Sequence, residues 1–313
     1  MRKKRMMLKK QLSVPLTDLL VKPEDAYDIS TEYEIHSQLG FGTYSQVKSA
    51  TRISDGSKVA IKISSGSSGV ALLQKEKSLM ESLTCPFFPQ IFDFKLDKVW
   101  NKAYLIMEKI PGESLDSYIK NSDKIPVETI EAFINQLCAI IKYLHCNNIC
   151  HRDLKPQNII VTKDNTLRLL DFNISKKIKD SAKGTIMSEV FYTQISTPQY
   201  AAPEVYSTAG YTPAIDIWGI GIIGYLLCGG IVTTCDLTNS GEISQEKIIF
   251  KGHVESYHPL PRRLRTFLCS CLNEDPNLRP TVEDDYFNSD IVISILTASK
   301  SFEKIDEENK EDE

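Results

Sequence analysis

The sequence predicts an α+β architecture in two parts, a small strand-rich one followed by a larger, mostly helical one. Residues 33–107 hold short alternating apolar runs broken by a single helical pattern. From Ser114 onward, apolar residues recur instead at helical spacing. Length agrees, since 313 residues suffice for one unit of two lobes or for two small domains at roughly 150 residues each. The expected divisions are a basic extension over 1–32, a strand-rich part over 33–109, a helical part over 110–289 and a tail over 290–313. The tail turns acidic and is expected to be disordered from residue 303 onward.

The elements follow in chain order. Tyr33 to Leu39 and Val47 to Thr51 read as strands joined through Gly40-Phe41-Gly42-Thr43-Tyr44-Ser45-Gln46. Val59-Ala60-Ile61-Lys62-Ile63 alternates, which puts Ala60 and Lys62 on one face of a strand and Val59, Ile61 and Ile63 on the other. By itself that is an ordinary strand with a solvated lysine. Leu72 to Leu83 reads as a helix, with Leu72, Leu73, Leu79, Met80 and Leu83 near helical spacing and Lys75, Glu76, Lys77 and Glu81 between them. Ile130, Phe133, Ile134, Leu137, Ile140, Ile141 and Leu144 form one stripe on a helix over Val127 to Asn147, and Pro126 suits its start. Ile159-Ile160-Val161 and Leu167 to Leu170 read as short strands. Asp216-Ile217-Trp218-Gly219 opens an apolar helix from Ile215 to Leu227. The acid and the five glycines in the run to Val232 suit a buried helix better than a membrane span.

The most informative stretch is His151-Arg152-Asp153-Leu154-Lys155-Pro156-Gln157-Asn158, followed by Asp171-Phe172-Asn173. It sets an acidic base, a lysine and two oxygen donors suited to Mg²⁺ in one compact segment. Phosphoryl transfer needs such a set, because it depends on positioning and charge neutralisation more than on covalent chemistry by the protein. Glycines at 40 and 42 let backbone close over phosphates without a Cβ in the way, although a lone Gly-x-Gly is equally a hairpin turn.

Taken in order, these motifs resemble those of eukaryotic protein kinases, and the lysine after Asp153 resembles the serine/threonine branch. Thr197-Pro198-Gln199-Tyr200-Ala201-Ala202-Pro203-Glu204 is similar to the end of that family's activation segment. Asn277-Leu278-Arg279-Pro280 matches the place where the family keeps an arginine for Glu204. The resemblance covers residues 33–289. It implies a bilobal protein-kinase-like fold, with a nucleotide cleft between the lobes near a hinge at Glu108 to Pro111. It also implies ATP and Mg²⁺ as cofactors and protein substrates as partners.

The resemblance assigns roles residue by residue. Asp153 is the base that takes the substrate hydroxyl proton, and Lys155 steadies charge on the transferring group. Asn158 and Asp171 are the Mg²⁺ ligands. Lys62 fixes the α- and β-phosphates and is oriented by Glu76, with Glu81 the weaker candidate. Gly40, Phe41 and Gly42 cover the phosphates. Val47, Ala60 and Ile160 sandwich the adenine, Met107 guards the back of its pocket, and Glu108 to Ile110 pair with its edge. Glu204 pairs with Arg279, and Asp216 accepts hydrogen bonds from the catalytic-loop backbone.

Departures from the family pattern bear on activity. Asn173 stands for a glycine at a position where unusual backbone angles are expected, and asparagine tolerates positive φ best among the other residues. Ser45 stands for a third glycine. Ser114 stands where many relatives contact ribose or a substrate arginine, and Gln157 replaces a frequent glutamate. Both changes argue against a strong preference for basic substrates, while Glu113 nearby blurs that conclusion. A partner-binding pseudokinase is the alternative, resting on Asn173 and Ser45. The segment from Asp171 to Glu204 is rich in Ser and Thr, and Thr193 stands where relatives are often phosphorylated. Arg152 and Lys176 are placed to meet a phosphate there. An unmodified loop hydroxyl at Thr193 is an equal alternative.

Composition is unremarkable, with a net charge of −4 and 42% apolar residues, so no nucleic-acid footprint is expected. Eight cysteines occur without a Cys-x-x-Cys pair. His145-Cys146 and Cys150-His151 look metal-like, but the kinase reading puts them in structural positions. Free thiols in a reducing compartment are the simpler account, and the expected localisation is cytoplasmic, with a nuclear address as an option. Six of the first ten residues are basic, without the apolar core of a signal peptide. They could form a weak contact with an anionic surface or remain a solvated arm.

Overall fold

The computed structural model describes residues 26–42, 45–178, 191, 198–206, 210–231 and 260–299. Residues 1–25 of the expected basic extension over 1–32, Thr193 and the acidic end from 300 lie outside these residues. Two compact units result. One holds the described residues up to Lys77 together with Ile91–Lys109, and the other holds Ser78–Gln90 and those from Ile110 on. The first is built on a sheet and the second is mainly helical.

In the first unit, β1 (Tyr33–Phe41), β2 (Ser45–Arg52), β3 (Lys58–Ser65), β4 (Ile91–Asp97) and β5 (Lys102–Glu108) form an antiparallel sheet in the order β1-β2-β3-β5-β4. Both strands of the first hairpin are longer than their apolar runs suggest. The period-two reading of β3 places Val59 and Ile61 in a core with Tyr33, Ala50, Tyr104 and Ile106. The other face is not solvated, because Ala60 and Lys62 are also buried.

Helix α1 (Gly66–Met80) starts six residues before the expected Leu72 and stops three short of Leu83. Gly66, at φ 76°, turns the chain directly out of β3 and donates its N–H to the Asn101 carbonyl at 2.9 Å. The following serines and glycine give no apolar signal, so the first turn is invisible to periodicity until Val70, which is buried. At the other end Ser82 and Leu83 donate to the Leu79 and Met80 carbonyls, closing a tight turn in place of another helical one.

Residues 78–90 group with the second unit rather than with the strand-rich one. The Thr84 N–H reaches the Tyr143 hydroxyl at 3.3 Å, the Phe87 carbonyl accepts from Leu169 N–H at 2.8 Å, and the Phe88 ring meets Tyr143 and Phe172. The centre of this unit is α3 (Val127–Cys146), preceded by β6 (Glu113–Ser114) and the short α2 (Leu115–Asn121). The predicted stripe on α3 is wholly buried. Next come β7 (Ile149–Cys150), β8 (Ile159–Val161), β9 (Leu167–Leu169) and β10 (Lys176–Lys177). They pair as β6-β8-β9 and β10-β7, bracing the loops between them.

Helix α4 (Ala214–Leu227) is buried nearly all round, as an apolar helix at the centre of a large unit must be. Its glycines allow close approach of α5 (Arg262–Cys271) and the residues that follow it. A Cβ at Gly224 would lie 2.5 Å from Leu268, and one at Gly221 would lie 2.7 Å from Leu272. The segment read as a tail begins instead with a helix over 290–299, anchored by Val292, which is fully buried. No helix among the described residues is long and apolar enough to cross a membrane.

Gly224→Ala is expected to destabilise the second unit by about 1–3 kcal/mol through overpacking against Leu268. Chemical denaturation followed by tryptophan fluorescence checks this, and an unchanged midpoint would contradict the close α4–α5 contact.

Candidate active site

The site in the second unit is organised by a buried acid. Asp216 sits in the first turn of α4 with no exposed surface. Its Oδ2 accepts the His151 N–H at 2.9 Å and lies 2.9 Å from His145 Nε2, and its Oδ1 accepts the Arg152 N–H at 2.8 Å. Burial pushes the carboxyl up. The hydrogen bond from His145, the neighbouring His145 and His151 rings and the Arg152 N–H outweigh it and hold the group below its usual range. Arg152 adopts φ 69°, a strained conformation for a residue with a side chain, and Asp216 is what over-determines it.

That bend delivers Asp153, which is buried. The Asp153 N–H donates to His151 Nδ1 at 3.3 Å while His151 Nε2 lies 3.1 Å from the Leu170 carbonyl, so the ring proton belongs on Nε2. Asp153 Oδ2 is 2.7 Å from Lys155 Nζ and accepts from Asn158 Nδ2 at 3.0 Å. The same Asn158 nitrogen donates to the Asp153 carbonyl at 2.9 Å. Its amide nitrogen is thereby committed to Asp153, which leaves Oδ1 as the group for a cation. The Asn158 carbonyl accepts Leu170 N–H at 2.7 Å, which ties Asp171 to the same loop. Oxygen donors of the Asn158 and Asp171 kind fit a hard divalent cation.

The unusual backbone expected at Asn173 falls elsewhere. Among the described residues, positive φ occurs at Asp171 (61°) and not at Asn173. The bend comes two residues earlier because Phe172 must enter the core, where it is 1% exposed between Phe88 and His151. Asn173 lies beyond that bend and returns its N–H to Asp171 Oδ1 at 3.4 Å.

The first unit holds the other charged pair. Lys62 Nζ lies 2.6 Å from Glu76 Oε1, and both side chains are buried. Register places Lys62 opposite Val47, and Ala60 opposite Met107. Gly40 pairs with Val47, and the Gly42 N–H closes the turn on the Ser45 carbonyl at 2.7 Å. Phe41 projects from this hairpin and is 82% exposed. Glu108 ends β5, and Ile110 begins the longer stretch of the second unit, which also carries Ile160 on β8.

Other predicted residues have definite local duties. Ser114 caps α2, accepting the Ser117 N–H at 3.1 Å and donating to its hydroxyl at 3.0 Å, so its side chain is engaged within the protein. Gln157 Nε2 bridges Asp116 at 2.7 Å and the Tyr200 hydroxyl at 3.0 Å. Glu204 forms a two-pronged pair with Arg279, at 2.6 and 2.7 Å, while Arg279 also lies over the Trp218 ring. Arg152 and Lys176 both approach the ring of Phe191, at 5.3 and 4.7 Å.

Sequence reading missed His145 and Phe191 as site residues. His145 had a signal, since a histidine on the buried face of α3 requires a polar partner. His145, Cys150 and Asp216 bring three donor atoms within 4.8 Å of one another. The grouping is a hydrogen-bond node: Asp216 already accepts three N–H donors, and burial keeps the Cys150 thiol pushed well up. Seven free cysteines are described, five of them buried and two, Cys146 and Cys269, exposed.

Comparison with known proteins agrees with this geometry. The protein kinase domain family matches residues 33–288. The chain is 30% identical over 262 residues to the hormonally up-regulated neu tumor-associated kinase of Mus musculus, covering 80% of this chain and 35% of that protein. Similarity extends to plants. The SNF1-related protein kinase catalytic subunit alpha KIN12 of Arabidopsis thaliana is 29% identical over 90% of this chain and 57% of its own. The CBL-interacting serine/threonine-protein kinase 18 of the same plant is 29% identical over 81% of this chain and 48% of its own. The chain therefore belongs to the eukaryotic protein kinase superfamily, in its serine/threonine branch. It spans between about a third and somewhat over half of the length of these relatives.

Asp216→Asn should cost about 3–5 kcal/mol at neutral pH, because it leaves buried donors facing an uncharged amide. A depressed carboxyl stabilises the fold fully above its ordinary pKa of 3.8 and loses that contribution as pH falls through the lower folded value. The gap between wild type and variant in denaturant titrations should therefore be widest near neutrality and narrow below pH 3.8.

Proposed function

We propose that the chain is an active kinase that transfers the γ-phosphate of Mg-ATP to serine or threonine hydroxyls of protein substrates. The observation that carries this reading is the shared use of Asp153 Oδ2 by Lys155 and Asn158. One carboxylate is held in place by a cation and an amide whose remaining oxygen suits a metal.

Asp153 accepts the proton of the incoming hydroxyl and aims its oxygen, and Lys155 balances charge on the moving group. Asn158 and Asp171 hold Mg²⁺, whose charge offsets that of the phosphates. Lys62 grips the α- and β-phosphates, and Glu76 fixes where its ammonium points. A buried ion pair contributes little net stability compared with an apolar pair of the same size, which supports a functional reason for Lys62 and Glu76. Val47, Ala60, Met107 and Ile160 supply apolar surface for adenine, with Glu108 to Ile110 at its polar edge. Gly40 to Gly42 cover the phosphates. That Asn173 lies outside positive φ supports the active reading over a partner-binding pseudokinase. Control through the segment from Asp171 to Glu204 belongs to this reading.

Asp153→Asn and Lys62→Met should each lower transfer to a generic protein acceptor by on the order of 10² to 10³ or more while the protein stays folded, with a lower unfolding midpoint in Lys62→Met because Glu76 is left buried without its cation. Wild-type turnover in either variant would overturn the assignment. Phosphoamino-acid analysis of the product should show phosphoserine or phosphothreonine, and phosphotyrosine alone would move the substrate class.

A further inference from the structure

Close to Asp153 in the chain stands a polar cluster whose hydrogen-bonding capacity is only half used. The turn Pro156–Asn158 buries Pro156 and Asn158 and leaves Gln157 exposed, while Asn158 is tied to Asp153. Gln157 Nε2 lies 2.7 Å from Asp116 Oδ1 and 3.0 Å from the Tyr200 hydroxyl. Asp116 also meets Lys120 Nζ at 2.7 Å through Oδ2. An ionised carboxylate only accepts, so the amide must turn its nitrogen towards Asp116 and its oxygen away. Both amide hydrogens are then in use, one on Asp116 and one on Tyr200. The Tyr200 oxygen is the acceptor of that second bond, so its own hydrogen is left to donate elsewhere. Among the described residues, nothing donates to Gln157 Oε1 and nothing accepts from the Tyr200 hydroxyl.

One open acceptor beside one open donor is the complement of extended main chain, in which a residue turns its N–H and C=O to the same side. An arginine or lysine side chain offers donors only, so it would satisfy Gln157 and leave Tyr200 unmet. The carboxylate of the cluster, Asp116, already carries Lys120 and Gln157. We propose that Gln157 and Tyr200 bind the main chain of the acceptor protein. Gln157 Oε1 accepts a peptide N–H, and the Tyr200 hydroxyl donates to a peptide carbonyl. The substrate class is then an extended segment held by its backbone rather than chosen for basic side chains. The inference rests on the kinase reading for the transfer that follows binding, and the binding itself is measurable without it.

The test uses a labelled serine-containing acceptor peptide and its ester analogues, in which one backbone N–H at a time near the serine is replaced by oxygen. Wild type, Tyr200→Phe and Gln157→Met are compared by fluorescence anisotropy for binding and by steady-state phosphate transfer for KM and kcat. Each variant loses one net hydrogen bond, so it should weaken binding and raise the peptide KM about three- to tenfold, with kcat within about twofold. In wild type, one ester position should weaken binding by a similar factor. Gln157→Met should be indifferent to that ester, whereas Tyr200→Phe should stay sensitive to it. A merely structural role for Gln157 would leave the ester sensitivity in place. Equal affinity of wild type for every analogue, undiminished ester sensitivity in Gln157→Met, or unchanged affinity in both variants overturns the proposal and leaves the two groups to water. If the peptide binds as expected and no form transfers phosphate, the kinase reading fails while main-chain binding stands.

Discussion

A single carboxylate in a dry interior is the constraint on which the catalytic loop depends. Asp216 has no exposed surface, yet it keeps its charge because three N–H donors converge on it and it sits in the first turn of a helix, where the helix dipole favours an anion. Two of those donors are consecutive backbone groups of the catalytic loop. Accepting both forces the chain through the left-handed bend at Arg152, which no intrinsic preference of arginine would produce. The direction of Asp153 is thus set from beneath, by a residue 63 positions later in the chain.

The surroundings reinforce that arrangement by close packing. Gly219 lets α4 approach the loop so nearly that a Cβ there would sit 2.9 Å from Leu154. On the far side, Arg279 clamps the Ala214 carbonyl at the start of α4 at 3.1 Å while gripping Glu204 through two hydrogen bonds. The helix carrying Asp216 is therefore pinned at its start and along its glycine face. Small residues and buried charge serve the same end, a fixed distance between helix and loop.

Much of this was legible in the sequence because it rests on local rules. The stripe on Val127 to Asn147 is wholly buried as read, whereas the period of two in Val59 to Ile63 reports only half of its strand, since Val59 and Ile61 are buried, Ile63 is half-buried and Ala60 and Lys62 opposite are buried as well. What escaped was set by partners far along the chain. The early start of α1 depends on Gly66 meeting Asn101, and the positive φ at Asp171 depends on where Phe172 finds room. The two cations near the catalytic loop were legible as a pair. Their aromatic partner was not, since Phe191 carries no motif of its own and is set beside them by its backbone pairing with Tyr211.

The thiols have a practical consequence. Cys85, Cys138, Cys150, Cys228 and Cys271 are buried, and burial pushes the last four away from the thiolate form that alkylating reagents attack. Cys146 and Cys269 lie at the surface. Because the hidden five are spread over the helical unit, their appearance to a thiol reagent would time the opening of that unit without any added label.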